Sequence, residues 1–295
     1  TYSFIFGAMF GDVGQGLILF LGGLFLYKTK HMDLAGIISC AGVFSVFFGF
    51  MYGSFFGFED VLKAIWLKPM NQMMDVPLVG RLNAVFVIAI GFGMFIILIC
   101  MIFNIINSIR NKDTEKAWFD SNAVAGLVFY GSIILTVGLF ISGRKLPATA
   151  VLVVMFGVPL LLMFLKEPLT NLVEKKSKIF PEQKGMFFVQ SFFELFEVLL
   201  SYLSNTLSFL RIGAFAVSHA AMMEVVLMLA GATNGGSPNW IVVVLGNIFV
   251  CAMEGLIVGI QVLRLEYYEI FSRFYAGNGR EFQPFMKTLR KSVQK

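Results

Sequence analysis

Residues 83–108 read NAVFVIAIGFGMFIILICMIFNIINS, 26 positions without one Asp, Glu, Lys or Arg. As a helix rising ~1.5 Å per residue this run reaches about 39 Å, enough to cross a hydrocarbon core of ~30 Å. It shows no apolar–polar alternation, so the strands of about 10 residues that build a transmembrane barrel are not its reading. Working outward, apolar blocks of the same kind cover residues 1–27, 34–58, 122–142, 147–165, 186–230 and 240–274. The composition agrees: 58% hydrophobic residues, 14% charged residues and a mean hydropathy of +0.81, against roughly 45–50% and 25% in soluble domains. The expected fold class is all-α, a polytopic transmembrane helical bundle seated in the lipid bilayer.

Seven blocks need not mean seven crossings. The sixth holds 45 residues, about 68 Å as one helix and more than twice the hydrocarbon thickness. Glu194 and Glu197 among Phe187, Phe188, Phe192, Phe193 and Phe196 suit an amphipathic helix at the interface that turns into a crossing near Ser204. The first block reads either as one crossing or as a hairpin broken at Gly11, Asp12, Gly14 and Gly16, where Gly supplies turn conformations and Asp12 caps the next helix. The hairpin gives about eight transmembrane helices, the last two long and tilted. Alternate loops carry 16 Lys and Arg against 5. The positive-inside rule then puts the loops around Lys28, Lys112 and Lys175 and the C-terminus in the cytoplasm, and the Gly231–Asn239 loop outside. The chain opens at Thr1 inside apolar sequence, which reads as a fragment forming one membrane domain over residues 1–295.

Cys40, Cys100 and Cys251 each stand alone in an apolar run, and there are two histidines; no disulfide framework or metal cluster is expected. No P-loop, HExxH, GxSxG or dinucleotide fingerprint occurs. Cofactors, nucleic acid and chemistry on a bound substrate are therefore not expected.

The chemistry rests on intramembrane charge. Arg211 and Arg264 are the basic residues deep inside crossing blocks, and a buried guanidinium costs several kcal/mol or more. Arginine cannot relieve that cost by losing its proton, so it must meet a carboxylate, carbonyls or water, or snorkel to the interface. Glu197, Ser204, Arg211 and Ser218 recur every seven residues, which leaves about 20° of drift per step and makes one polar stripe. Glu254, Gln261 and Arg264 fall within about 80° of one another on the last block. His219 lies about 80° off the Arg211 stripe, as a hydrogen-bonded structural histidine or a proton relay. Glu197 and Glu254 read as carboxylates with aqueous access that conduct ions, or as partners in interhelical pairs.

Three motifs carry a resemblance. Met9 Phe10 Gly11 Asp12 Val13 Gly14 Gln15 Gly16 is similar to the MFGDxGxG signature of the V/A-type rotary ATPase stator subunit, called subunit a or subunit I. Ser204 Asn205 Thr206 Leu207 Ser208 Phe209 Leu210 Arg211, continuing to Ser218 His219 Ala220, resembles that family's SxTxSYLRLWAL…AHA segment. Met253 Glu254 Gly255, then Gln261 to Leu265 and Phe271 to Tyr275, resembles its MEG…LRLxxVEFxSKFY ending, with the tail reaching Phe282 to Phe285. Gln15 and Gln261 stand where many members carry histidine, and Gly213 Ala214 where they carry Trp-Ala, which favours a bacterial or archaeal-type member.

The resemblance implies an ion-translocating stator, not catalytic by itself, in a prokaryotic plasma membrane. Two aqueous half-channels would face a proteolipid rotor ring (c/K subunits) and couple H⁺ or Na⁺ passage to rotation. Arg211 would be the essential charge, helped by Arg264, with Glu197, Ser204, Ser218, His219, Glu254 and Gln261 along the paths. Peripheral stalk subunits (E/G type) would bind an N-terminal cytoplasmic domain outside this sequence, and a central stalk–ring adaptor (d/C type) would complete the membrane complex. The rival readings are a secondary transporter with an intramembrane Arg/Glu substrate site, for which no inverted repeat is visible, and a purely structural membrane scaffold.

Overall fold

The computed structural model describes residues 1–58, 61–70, 73–76, 80–111, 115–145, 147–173, 184–231, 238–275 and 277. Lys112, Lys175 and the rest of the 174–183 half of the charged 166–185 linker, the 232–237 part of the Gly231–Asn239 loop and the Phe282 to Phe285 tail lie outside them. The first block is two helices, α1 (Tyr2–Met9) and α2 (Val13–Lys30), so the hairpin reading holds. Asp12 caps α2 by accepting the Gln15 N–H at 2.9 Å, and Lys28 and Lys30 sit in its last turn, where the helix dipole favours cations.

The next helix, α3 (Asp33–Tyr52), packs against both α1 and α2, antiparallel to α2. A hairpin of β1 (Met73–Val76) and β2 (Gly80–Asn83) follows, an element the apolar pattern does not announce. The longer helices that follow are α4 (Ala84–Arg110), α5 (Val124–Ile141), α6 (Thr149–Phe164), α7 (Lys166–Val173), α8 (Lys184–Ser208), α9 (Leu210–Leu229) and α10 (Trp240–Leu265). Asn83 and Asn239 cap α4 and α10 through the N–H groups of Val85 and Ile241.

By length and composition five helices can cross a membrane: Asp33–Tyr52, Ala84–Arg110, Ala117–Ile141, Gly185–Leu229 and Trp240–Phe274. The pair α6 and α7, bent by 73°, makes a sixth if it is one span. With α1 and α2 the series reaches the expected eight segments, but the eight residues of α1 rise only ~12 Å, less than half the hydrocarbon thickness.

The expected turn near Ser204 is absent. The helix runs on as one 45-residue element, Gly185–Leu229, interrupted only at Phe209. The segment holds no Pro, and its glycines are Gly185 at one end and Gly213, so nothing at Ser204 breaks the hydrogen-bond ladder. At about 68 Å it fits a bilayer only by steep tilt or by projecting beyond it. Its apolar side chains Phe192, Phe193, Leu200 and Leu203 are exposed, as are Leu245, Phe249 and Leu256 of α10, the arrangement lipid requires.

Glycine sets the packing of the N-terminal unit. A Cβ at Gly42 would stand 2.5 Å from the Phe20 nitrogen, and one at Gly49 2.4 Å from the Val13 nitrogen, so the α2 and α3 backbones touch as small-residue interfaces allow. A buried core links this unit to the rest through Ile5 and Met9 of α1, Ile97 and Met101 of α4, and Val258, Val262 and Leu265 of α10. A largely apolar cleft of about 1100 Å³ remains between α10 and the α1–α3 unit, with Gln15 and Asn247 the amides on its walls.

Candidate functional site

The site is organised by the single interruption of the long helix. The Phe209 N–H bonds the Thr206 carbonyl at 3.3 Å and the Ile212 N–H bonds the Phe209 carbonyl at 3.0 Å, tightening the backbone to i→i+3 spacing there. Phe209 is fully buried and lies against Gly93 of α4, where a Cβ would come within 2.2 Å of its ring. Arg211, two residues on, is half-buried. Its Nη2 donates to Ser208 Oγ at 3.1 Å and its Nη1 to the Gln261 carbonyl at 3.4 Å. Ser208 Oγ in turn donates to the Glu269 carboxylate. The guanidinium thus rests on a hydroxyl and a carbonyl, with a carboxylate one bond removed, and it is able to accept an anionic partner arriving from outside the chain.

Glu197, Ser204 and Ser218 are exposed, so the stripe with Arg211 lies on the outer surface of the helix. Arg264 is also exposed, while Gln261 is half-buried and meets Arg211 through its carbonyl. Glu254 parts from these two. It is buried and pairs with His219, Oε2 to Nδ1 at 2.6 Å, so α9 and α10 are joined by the interhelical pair. The His219 Nε2 and Glu254 Oε1 are buried without partners, and the Phe10 ring covers the imidazole at 4.7 Å. Beside His219 is a void of about 20 Å³, room for about one water.

The helix-break motif supports this end. Asp12 is fully buried, and its carboxylate accepts four hydrogen bonds. Oδ1 takes the N–H groups of Gln15 at 2.9 Å and Phe56 at 3.1 Å; Oδ2 takes Ser54 Oγ at 2.6 Å and the Gly57 N–H at 3.0 Å. The motif glycines do not serve as turn formers, a correction to the sequence reading: none of Gly11, Gly14 and Gly16 has positive φ. They allow close approach instead. A Cβ at Gly11 would meet the Tyr52 ring at 2.5 Å, one at Gly14 the Phe56 ring at 2.4 Å and one at Gly16 Ser45 Oγ at 2.8 Å. Gln15 donates from Nε2 to Asn247 Oδ1 at 2.8 Å and to Met223 Sδ at 3.2 Å.

A second polar region lies on the other side of Arg211 along the long helix. Beyond α10 the chain makes a π-helical turn, Glu266–Phe271, with Glu266 and Glu269 buried, a feature often found at functional sites. Arg273 follows, buried among Asn122, Tyr202 and the Glu269 carbonyl. A cavity of about 220 Å³ opens there, lined by Ser121, Asn122, Ser201, Tyr202, Asn205, Ser272 and Arg273 with Val198. The linear reading singled out neither Arg273 nor the Gln15–Asn247 pair. An isolated amide inside each apolar run was the available signal, since a lone amide in hydrocarbon needs a partner.

Comparison with known proteins agrees with this architecture. Residues 167–287 match the model of the V-type ATPase 116 kDa subunit family. The A-type ATP synthase subunit I of Aeropyrum pernix is 27% identical over 96% of the chain and 46% of its own length. That of Pyrococcus abyssi is 29% identical over 97% and 42%. The vacuolar proton translocating ATPase 100 kDa subunit of Dictyostelium discoideum is 22% identical over 98% and 49%. The chain spans a little under half the length of these relatives. With an apolar helical bundle and these relatives along nearly all its length, the chain is an integral membrane protein similar to the V/A-type ATPase subunit a/I family.

Proposed function

We propose that this chain is the ion-translocating wall of a rotary V/A-type ATPase, non-catalytic by itself, working against a proteolipid rotor ring (c/K subunits). The observation that carries the reading is the place of Arg211 between two polar regions on one helix. His219 and its void lie eight residues on, about 12 Å along the axis, and Asn205 on the 220 Å³ cavity lies six residues before, about 9 Å. Each region would serve as the inner end of an aqueous half-channel, one through His219 and Glu254, the other past Glu197, Ser204 and Asn205. A fixed positive charge between them would hold the passing rotor carboxylate ionised, because a nearby opposite charge favours the charged form. The same charge would oppose direct cation leakage between the half-channels, forcing passage to go with rotation. A potential of 100 mV supplies about 2.3 kcal/mol per elementary charge, so several H⁺ or Na⁺ would cross per ATP.

Arg211 suits this task because its present partners, Ser208 Oγ and the Gln261 carbonyl, can be exchanged for a carboxylate without stranding a buried anion. Arg264 and Ser218 on the exposed surface would face the ring. Peripheral stalk subunits (E/G type), a central stalk–ring adaptor (d/C type), a cytoplasmic C-terminus and a prokaryotic plasma membrane belong to the same proposal. The test is ATP-driven ion uptake into vesicles holding the whole complex, with Arg211→Ala in the full-length subunit. Loss of uptake in a complex of unchanged subunit content is expected. Normal coupled uptake would overturn the proposal in favour of a scaffold.

A further inference from the structure

Arg273 carries a charge that the ion path described above does not use. The residue is only 6% exposed. Its Nε donates to the Glu269 carbonyl at 3.2 Å, its Nη1 to Asn122 Oδ1 at 2.9 Å, and its guanidinium lies 5.9 Å from the Tyr202 ring centroid. Its Nη2 is buried without a partner. Among the described residues no carboxylate forms an ion pair with it. Glu269 gives one oxygen to Ser208 and attracts Arg273 without forming an ion pair; Asp120 and Glu197, each next to a residue of the cavity wall, form none with it either. A guanidinium cannot shed its proton, and one away from bulk water without a paired carboxylate is costly.

What faces this charge is a cavity of about 220 Å³ walled by the hydroxyls of Ser121, Ser201, Tyr202 and Ser272 and the amides of Asn122 and Asn205, with no carboxylate. The Tyr202 and Ser272 hydroxyls already donate to the Ser121 and Tyr268 carbonyls, and one Asn205 N–H to Ser201 Oγ; the Ser121 and Ser201 hydroxyls and the second Asn205 N–H are the donors that can turn toward an anion. At ~30 Å³ per water the space holds one small ion with a partial hydration shell. We propose that this cavity is an anion site in which Arg273 holds a small monovalent inorganic ion such as chloride, helped by the Ser121 and Ser201 hydroxyls and Asn205. Bound there, the anion offsets a positive charge that otherwise opposes a cation entering from this side. That consequence rests on the function proposed above; the binding does not.

The experiment is equilibrium binding of radiolabelled chloride to the purified whole complex in zwitterionic detergent, counting saturable sites per copy of this subunit. Arg273→Met and Ser201→Phe, which fills the cavity and leaves the guanidinium, should each remove one site relative to the unaltered complex. Arg273→Lys should keep the site with about tenfold weaker binding, because a point charge replaces a planar fork. An unchanged site count in Arg273→Met and Ser201→Phe overturns the proposal and leaves a water-filled vestibule. If Arg273→Met does not assemble, Ser201→Phe decides alone. Because the readout is binding and not transport, the Arg211→Ala result does not bear on it.

Discussion

Replacing Asp12 should unfasten the helix break by a calculable amount. Four donors converge on its buried carboxylate, at 2.9 and 3.1 Å on Oδ1 and at 2.6 and 3.0 Å on Oδ2. Hydrogen bonds to a charged group contribute about 1.5–3 kcal/mol each, so simple addition sets an upper bound for Asp12→Ala. Deleting the carboxylate also removes its own desolvation cost, which brings the expected loss to about 3–5 kcal/mol. Asp12→Asn keeps an acceptor for Gln15 and Phe56 but points an NH₂ at Ser54 and Gly57. The hydroxyl can rotate to accept; the Gly57 N–H cannot, so the loss should be about 1.5–3 kcal/mol. The assay is reversible unfolding of the full-length subunit in mixed micelles, with protease sensitivity of the 53–58 segment read alongside. An Ala variant within about 0.5 kcal/mol of the unaltered protein, the range of ordinary surface substitutions, would refute the reasoning. So would equal losses for Asn and Ala.

Glycine contacts give a sharper contrast: Gly49→Ala puts a Cβ 2.4 Å from the Val13 nitrogen, while at Gly22 nothing lies within 4 Å. The first should cost about 1–3 kcal/mol by overpacking and the second should be neutral in the same unfolding assay. Gly93→Ala, which collides with the Phe209 ring, is expected to lower ATP-driven uptake by displacing Arg211 while subunit content stays intact. The Gln15–Asn247 pair should show a coupling of about 0.6 kcal/mol, and at most about 1.7, in a double-mutant cycle with Gln15→Leu and Asn247→Leu; zero coupling would mean the amides find other partners.

Much of this arrangement was legible in the sequence because it depends on local chemistry. The break after Met9 follows from an Asp that can cap a helix, and the 45-residue run of the sixth block from the absence of any breaker. The rest was hidden where chain segments meet at long range. The donors Ser54, Phe56 and Gly57 lie 42, 44 and 45 positions from Asp12, and no local pattern marks them. The interruption of the long helix falls at Phe209, neither Gly nor Pro, because the cause is a gap on α4 at Gly93. The amphipathic reading of residues 187–197 places a turn near Ser204 because of the block's length and two glutamates among five phenylalanines. Yet Glu194 is satisfied along the straight helix by Lys166 at the start of α7. Arg273 looked like an ordinary basic residue at a block's end, since burial beside Asn122, 151 positions away, is invisible to hydropathy.

The length of α8 and α9 taken together has a mechanical consequence. Arg211 stands 27 residues from the start at Lys184, a lever arm of about 40 Å. Swinging that rod by 5° about its far end would carry the guanidinium about 3.5 Å, more than the length of a hydrogen bond. Two weak polar contacts could not resist such leverage. Phe209 seated on Gly93 acts as the fulcrum, setting the tolerance within which the charge is delivered.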